Sequence, residues 1–222
     1  MSPKAKALLD LVELLYEGLV SPEAWNDFLG ALSHRIGCDC AAITFHDDGN
    51  RNPSMASSIG LSRQVTNEWK TYFSNRNPRV PQVLRALSRS GSWISASSLA
   101  KAPAIYRDTE YVTWLHRHDL HHSLLAAVGH EREAASLSLV RPRTSKPFGP
   151  GAVEFVRRTL PHLQRVLRIH SRNQTLSSFF EAGKMALDEL DTGVVFVDAN
   201  GNVVLMNERA ERFRTRNGWS GW

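Results

Sequence analysis

Apolar residues recur at helical spacing at the start of the chain. From residue 4 to residue 19, leucine or valine returns every three or four positions, which predicts an amphipathic helix. A second helix is predicted to begin at Ser21-Pro22, with Ser21 as its N-cap, because a hydroxyl cap followed by proline is typical of helix starts. Gly37 is predicted to end this helix, whose apolar face comprises Trp25, Phe28, Leu29, Leu32 and Ile36.

The pattern then changes to short runs that are rich in strand-forming residues. Residues 40–47 and 54–60 flank a turn-forming stretch and predict a β-hairpin. Three further strands are predicted at residues 90–96, 123–131 and 134–142. Helical segments are predicted between the hairpin and the last two strands, at residues 62–74 and 80–87 and as short turns within residues 97–119.

The last third of the chain predicts a long helix followed by a small β-β-α segment. Residues 151–176 are predicted to be helical, and Pro161 should kink this helix or leave a carbonyl without its donor. A second helical stretch is predicted at residues 179–190. Residues 193–213 predict a strand, a turn, a strand and a helix, and Asn200-Gly201 is a strong signal for the hairpin turn.

This order of elements predicts an α+β fold. An antiparallel sheet would be flanked by helices and followed by a long C-terminal linker helix. One face of such a sheet is free to carry a pocket beneath the helical segments of residues 62–119. The sequence has no internal repeat that would suggest another architecture.

Composition and charge narrow the class of protein. The net charge is +5, but basic residues are spread among acidic ones, so no basic block favours a nucleic-acid surface. No apolar run approaches the roughly 20 residues that span a bilayer. Acidic residues interrupt the apolar start of the chain, so we expect a cytoplasmic protein without a signal peptide or membrane contact.

Motifs that would indicate catalysis are missing from the sequence. There is no G-x-S-x-G elbow, no phosphate-binding loop and no dinucleotide-binding glycine pattern. The spacing of Cys38 and Cys40 suits neither a structural disulfide nor a zinc site, so two buried thiols in a reducing compartment are predicted. The sequence therefore predicts no catalytic residue, no cofactor and no enzyme.

Three stretches carry a resemblance to a known family. The first comprises residues 72–82 and 105–120, and the second is 137–169, with Arg141, Pro147-Phe148 and Pro161-His162-Leu163. The third is residues 187–213. In this order they resemble the N-terminal part of LuxR-type helix-turn-helix transcriptional regulators that have a GAF-like sensor and a partial PAS-like segment. The resemblance extends from about Ala7 to Phe213.

The resemblance implies a GAF/PAS-like antiparallel sheet and a division of the chain into three parts. These would be a sensor domain at residues 1–150, linker and dimerisation helices at 151–190, and a PAS-like β-β-α segment at 191–222. Such regulators contact DNA through a helix-turn-helix domain. This sequence does not contain that domain, so DNA would be reached only through one that is attached or belongs to a partner.

Aromatic residues are the best candidates for a ligand site. GAF-like folds place their pocket under the helical insert, and aromatic side chains with polar tips can enclose and orient a small organic molecule. Plain core packing is the alternative role for the same residues. The predicted ligand-binding residues are Trp69, Tyr72, Phe73, Trp93, Tyr106, Tyr111 and Trp114.

The predicted helix of residues 151–176 carries a heptad-like apolar stripe. Such a stripe either covers the sheet as part of the core or meets a second copy in a homodimer, where signals pass as changes in helix packing. The residues predicted for dimerisation are Val153, Val156, Leu160, Leu163 and Leu167.

Histidines cluster at residues 116–122, which contain four histidines and Asp119. Histidine and aspartate can ligate zinc or iron, and histidine can also be an axial ligand of haem. The order of these residues does not match a metallohydrolase motif, and no further ligand set follows. Solvated or helix-capping histidines are therefore the favoured interpretation, and no metal-ligating residue is predicted.

Together these features favour a sensory module of a LuxR-type bacterial transcription regulator. It would bind a small organic effector and pass the signal through a dimer helix. One alternative is a metal- or haem-binding sensor, or a metal-dependent enzyme, that uses the histidines of residues 116–122. Another alternative is a dimerisation or interaction domain that binds no ligand.

Overall fold

The computed structural model describes residues 3–21, 23–47, 50–74, 76–101, 109–129 and 133–216. The chain divides into two compact units, Met1–His170 and Ser171–Trp222. Among the described residues, no helix combines the length and the apolar character that a membrane crossing requires.

Two helices open the first unit, α1 (Pro3–Glu17) and α2 (Ala24–Ile36). The prediction that Ser21 caps α2 is wrong, because the helix begins after Glu23 and the Ser21 hydroxyl donates a hydrogen bond to the Glu23 carboxylate at 2.8 Å. The prediction for the other end is confirmed. Gly37 ends α2 in the left-handed conformation, with φ at 66°, which glycine adopts without steric cost.

Five strands form a single antiparallel sheet in this unit, which confirms the predicted α+β class. The strand order is β2-β1-β5-β4-β3. All four neighbouring pairs are antiparallel. The strands are β1 (Cys40–Asp47), β2 (Asn50–Ile59), β3 (Ser92–Ser98), β4 (His122–Gly129) and β5 (Glu133–Arg141).

Short helices connect the hairpin to the rest of the sheet. The segment predicted as one helix is α3 (Arg63–Glu68), which continues as a π-helical turn over Trp69–Phe73. The Ser62 hydroxyl caps α3 by accepting from the Val65 amide at 3.2 Å. Then follow α4 (Val80–Ser90), a 3-10 turn at Leu99–Lys101 and α5 (Glu110–Arg117).

The long helix is a single element, α6 (Pro150–Asp188). The sequence predicted a helix that runs through Pro161 over residues 151–176 and a second stretch at 179–190. The predicted break between the two is wrong, because the helix continues without interruption to Asp188. Leu160 and Leu163 flank the proline and are buried in the core of the first unit. Their packing holds the helix on both sides of Pro161 and outweighs the backbone hydrogen bond that proline removes.

Side chains of the sheet alternate between two faces of different character. On the face that we call the core face, Ile43, Leu124, Leu137 and Leu139 are at most 1% exposed and share one apolar cluster with residues of α1, α2 and α6. Burying a leucine in this way stabilises the fold by about 1.5–3 kcal/mol. On the opposite face, which we call the cavity face, small and polar side chains predominate, among them Ala42, Thr44, Ser123, Ser136 and Ser138.

Arg141 ties the end of the sheet to α2. Its guanidinium donates to the backbone carbonyls of Ile36 and Gly37, which end α2, and to that of Lys146 at 2.8 Å. It also lies 4.1 Å from the centre of the Phe148 ring. Arg141 and Phe148, which are part of the resemblance described above, therefore have a structural role at this corner of the fold.

The second unit contains the end of α6 and a β-β-α segment. A two-stranded hairpin, β6 (Val195–Val197) and β7 (Val203–Met206), turns at Asn200-Gly201 as predicted and leads to α7 (Glu208–Arg216). The side chain of the fully buried Asn207 makes four hydrogen bonds, since its amide oxygen accepts from two backbone amides and its amide nitrogen donates to two carbonyls. Large apolar side chains of this unit are exposed, including Leu176, Phe179, Phe180, Met185, Phe196 and Phe213.

Candidate ligand-binding cavity

A cavity of about 290 Å³ lies between the cavity face of the sheet and the helices α3, α4 and α5. Its size is just below the range typical of small-molecule sites in proteins, about 300–1,000 Å³. The sequence predicted a pocket at this place, under the helical segments of residues 62–119.

The floor of the cavity is open because its side chains are small. Ala42, Ser138 and Leu125 lie side by side on β1, β5 and β4, and only the leucine reaches far from the sheet. Directly below, the core face carries Ile43, Leu137 and Leu124 at neighbouring positions of the same strands. Small side chains on one face leave a gap that the opposing helices do not fill, whereas large ones on the other face close the core.

The walls are mainly apolar. The helix α3 and its π-helical turn contribute Val65 and Trp69, and α4 contributes Val83 and Leu87. The helix α5 adds its own apolar face, formed by Tyr111, Val112, Trp114 and Leu115. These side chains would cover an apolar body of a bound molecule.

Four of the predicted ligand-binding residues line the cavity: Trp69, Trp93, Tyr111 and Trp114. Phe73 instead packs behind the wall, with its ring stacked 4.7 Å from that of Trp114. Tyr72 is 39% exposed, and its hydroxyl donates to the Glu110 carboxylate at 2.8 Å. Tyr106 lies outside the described residues.

Polar residues in the cavity were missed by the sequence analysis. A signal was available for the floor, since serine alternates with leucine along residues 136–139 and the serines must share one face of the strand. At one place on the floor His46 Nε2 and Ser136 Oγ lie 3.0 Å apart. Burial lowers the pKa of His46, which favours its neutral form.

Arg79 forms a second polar point in the cavity wall, just before α4. Its guanidinium donates to the Ser97 hydroxyl at 2.6 Å, and Ser97 Oγ lies 2.8 Å from Ser123 Oγ on the neighbouring strand. Tyr111 also lines the cavity, and burial raises the pKa of its hydroxyl to about 12, an effect that the charge of Arg79 partly offsets.

Glu68 joins two of the helices that cover the cavity. Its carboxylate accepts from Trp114 Nε1 at 2.7 Å and lies 2.8 Å from His118 Nε2. Trp114 lies in α5, and His118 follows directly after this helix. Hydrogen bonds from Gln64, His118 and Trp114 lower the pKa of Glu68 to about 2. The indole nitrogen of Trp114 is therefore used inside the wall rather than turned to a ligand.

The histidines of residues 116–122 contact other protein groups. His118 is paired with Glu68, and the rings of His116 and His122 lie 5.4 Å and 5.0 Å from that of His121. The Asp119 carboxylate accepts from the Arg143 amide at 2.9 Å. Across the described residues, no three histidine, cysteine or acidic side chains are grouped so that they could hold a metal ion.

Four of the five residues predicted for dimerisation, Val156, Leu160, Leu163 and Leu167, are buried in the core of the first unit. The fifth, Val153, is partly buried against the same core. Within the chain, this stripe therefore serves as the core side of α6.

The sequence matches no protein family and no curated protein. Similar solved structures include the LBD domain of VqsR from Pseudomonas aeruginosa, which is 17% identical, with a TM-score of 0.55 over 73% of this chain and 95% of that one. The N-acylhomoserine lactone-dependent LuxR family transcription factor CepR2 from Burkholderia cenocepacia is 11% identical, with a TM-score of 0.57 over 79% and 99%.

A third similar structure is the phycoerythrobilin-bound GAF domain from a cyanobacterial phytochrome. It is 12% identical and has a TM-score of 0.55 over 78% of this chain and 99% of that one. At such low identity these likenesses establish the fold. The chain has a GAF-like α+β fold with an antiparallel sheet, flanking helices and a long helix.

Proposed function

We propose that this chain is the ligand-sensing module of a transcription regulator of LuxR type and that it binds a small organic effector in the cavity above the sheet. The observation that carries the proposal is the cavity itself, with its small-residue floor and its apolar walls. Natural cores are packed closely, so an apolar space of this size supports a binding role. The GAF-like fold, which VqsR and CepR2 share, adds support.

Effector binding would act on the long helix through the sheet. The cavity lies on one face, whereas α6 packs with the core face through Val156, Leu160 and Leu163. A ligand in the cavity would contact β4 and β5 on the side of the sheet opposite to α6. Its effect on α6 would therefore be transmitted by these two strands. It shifts the packing of α6 only if its affinity differs between two arrangements of the sheet and helix.

The signal would pass on through a homodimer. Because the predicted dimerisation residues serve the core, we expect the partner to pack on exposed apolar residues of the second unit, such as Leu176 and Phe179, which are 58% and 71% exposed. Replacing either with serine should lower the fraction of dimer in light scattering, with the fold unchanged.

DNA would be contacted by a helix-turn-helix domain that is attached or belongs to a partner.

A thermal-shift screen tests the binding role. Purified chain would be heated with a broad set of small metabolites, including N-acylhomoserine lactones, on which CepR2 depends. We expect at least one compound to raise the unfolding temperature, because a ligand that binds only the folded state stabilises it. Ser138→Leu, which fills the centre of the floor, should abolish this shift.

A matched variant is Arg85→Gln, which changes an exposed residue of α4 outside the cavity and should keep the shift. If no compound stabilises the chain, or if Ser138→Leu leaves the shifts intact, the binding role assigned to the cavity is wrong.

A further inference from the structure

The helix α6 carries a basic face on the side that points away from the core. Arginines that are separated in the sequence fall within an arc of about 100° around the helix axis, at about 3.6 residues per turn. They are all exposed: Arg157, Arg158, Arg165 and Arg168. Over residues 150–170 the only acid is Glu154, which pairs with Arg157 and Arg158.

The other two arginines of this face have no acidic partner within the chain. In the part of the chain that the structure describes, no carboxylate pairs with Arg165 or Arg168. Both guanidinium groups keep their charge at every physiological pH, and like charges three positions apart destabilise a helix slightly. The two charges therefore add nothing to the stability of the helix, which favours a role in contact with another molecule.

The helix α1 carries the opposite charge on the same side of the sheet. From residue 10 to its end it has three acids and no basic residue, all exposed and within an arc of about 60°: Asp10, Glu13 and Glu17. On its other side, Leu11 and Leu15 belong to the same apolar cluster as the buried residues of α6. The ring of Tyr16 lies 6.3 Å from that of His162, so the two charged faces are neighbours on the outside of one helical layer.

We propose that this helical layer is a contact between two copies of the chain, in which the acidic face of α1 in one copy packs against the basic face of α6 in the other. The inference builds on the proposed homodimer and adds to it a contact in the first unit. A twofold axis forms the pairing twice, because each copy presents both faces to its partner.

Exposed apolar side chains border both charged faces. Leu9 lies one helical turn before Glu13 and is 55% exposed, and Ile169 lies one turn after Arg165 and is 37% exposed. Exposed ion pairs alone contribute little affinity, so the apolar contacts add to the strength of the contact. The charges chiefly select the partner and fix its orientation, because like charges brought into contact are strongly unfavourable.

The combination of both charges favours a second copy over a polyanion such as DNA. A phosphate backbone would be attracted to Arg165 and Arg168 but repelled by the carboxylates of the neighbouring α1. A second copy, turned by the twofold axis, brings each face against its opposite.

Two charge-reversed variants test the contact. Arg165→Glu with Arg168→Glu makes the face of α6 acidic, and Glu13→Lys with Glu17→Lys makes the face of α1 basic. In sedimentation velocity runs over a range of concentrations, each variant alone should dimerise roughly tenfold or more weakly than the unaltered chain. An equimolar mixture of the two variants should form a heterodimer about as strongly as the unaltered chain, because each contact again joins opposite charges.

Two controls accompany these measurements. Arg85→Glu with Arg89→Glu makes the same change of charge on exposed residues of α4, across the sheet, and should leave dimerisation unchanged. Added salt should weaken the dimer of the unaltered chain, since exposed charges are screened beyond roughly 8 Å at about 0.15 M ionic strength. This salt dependence needs no variant, so the test holds even if a charge-reversed variant folds poorly.

Unchanged dimerisation of both folded variants, or a mixture that associates no better than either variant alone, would overturn the contact. So would a loss of DNA binding in Arg165→Glu with Arg168→Glu while the dimer stays intact, because the basic face would then serve a polyanion. If Leu176→Ser lowers the dimer fraction but neither charge-reversed variant does, the homodimer stands and only the contact in the first unit is wrong. The thermal-shift screen reports on the cavity in every case.

Discussion

The two faces of the sheet are formed by the same strands but carry side chains of very different size. Ile43, Leu137 and Leu139 fill the core face, whereas Thr44, Ser136 and Ser138 occupy the next positions of the same strands on the cavity face. Since backbone pairing is common to both faces, the difference lies in the side chains alone. One face contributes apolar burial to stability, and the other gives up part of that burial and leaves a cavity.

Neighbouring leucines of β4 offer the largest contrast. Leu124 is fully buried on the core face, and Leu125 lines the cavity. Leu124→Ala should lower the free energy of unfolding by roughly 2–5 kcal/mol, because it leaves a new void in a packed core. Leu125→Ala should lower the free energy of unfolding by about 1–2 kcal/mol. It enlarges a space that already exists, so the loss comes mainly from the smaller apolar area removed from water.

Urea denaturation followed by circular dichroism measures both changes. If Leu124→Ala and Leu125→Ala lower the free energy of unfolding equally, the cavity face is packed as closely as the core face. That result would contradict the difference in packing between the two faces.

Adding bulk to β5 should give a smaller contrast. Ala135 is fully buried on the core face, and Ser138 lies in the cavity floor. Ala135→Leu should cost about 1–3 kcal/mol because the core has no room for three more carbons. Ser138→Leu enters open space, so the free energy of unfolding should change little or increase, while ligand binding is lost. A large destabilisation by Ser138→Leu in the same denaturation assay would contradict this prediction.

The two faces also differ in what holds the helices over them. Helices on the core face are held by apolar packing, whereas α3 and α5 on the cavity side are joined both by a smaller apolar cluster with Val65 and Trp114 and by the carboxylate of Glu68. The lowered pKa of Glu68 means that its contribution to stability is complete above its ordinary value of 4.5 and is lost as the pH falls toward about 2.

Glu68→Gln should therefore lower the thermal midpoint at neutral pH and reduce the loss of stability on acidification below the ordinary pKa. Glu154→Gln, which removes an exposed carboxylate on α6 that pairs with two arginines of its own helix, should change the midpoint little. Identical pH profiles for the unaltered chain and Glu68→Gln would show that the carboxylate does not hold these helices.

Much of the fold follows from local patterns in the sequence. The period of apolar residues predicted α1, α2 and the strands, and the Asn200-Gly201 pair predicted a hairpin turn, because each depends on neighbours a few residues away. The same pattern predicted that α6 runs through Pro161. It did not predict that the helix continues unbroken to Asp188, because Ser177 and Ser178 interrupt the local helical pattern.

The same limit applies to the cavity. Aromatic residues indicated its walls, so Trp69, Trp93, Tyr111 and Trp114 were found. Phe73 and Tyr72 share the same local pattern, but they face away from the cavity, because a π-helical turn changes the direction of side chains near it. Arg79 was missed because it reaches Ser97 and Ser123 only after α4 has docked on the sheet.

Two partly buried histidines, one associated with each face, give the smallest expected effect. His46 lies on the cavity face, and His170 of α6 stacks 4.1 Å from the ring of Phe45. Burial lowers the pKa of both, so the unfolded chain binds more protons than the folded one just below the ordinary histidine value of 6.5. Stability should therefore fall as the pH drops through that value toward the folded pKa values, within the range of about pH 5 to 8 in which histidine titrates.

His46→Asn and His170→Asn should each flatten this pH dependence in denaturation experiments, and the exposed His34→Asn should not. An effect of His170→Asn alone would contradict the desolvation of His46. An unchanged slope in both variants would mean that neither histidine is desolvated, and a flattened slope in His46→Asn alone would confine desolvation to the cavity face. The paired measurement therefore reports separately how strongly the histidine on each side of the sheet is shielded from water.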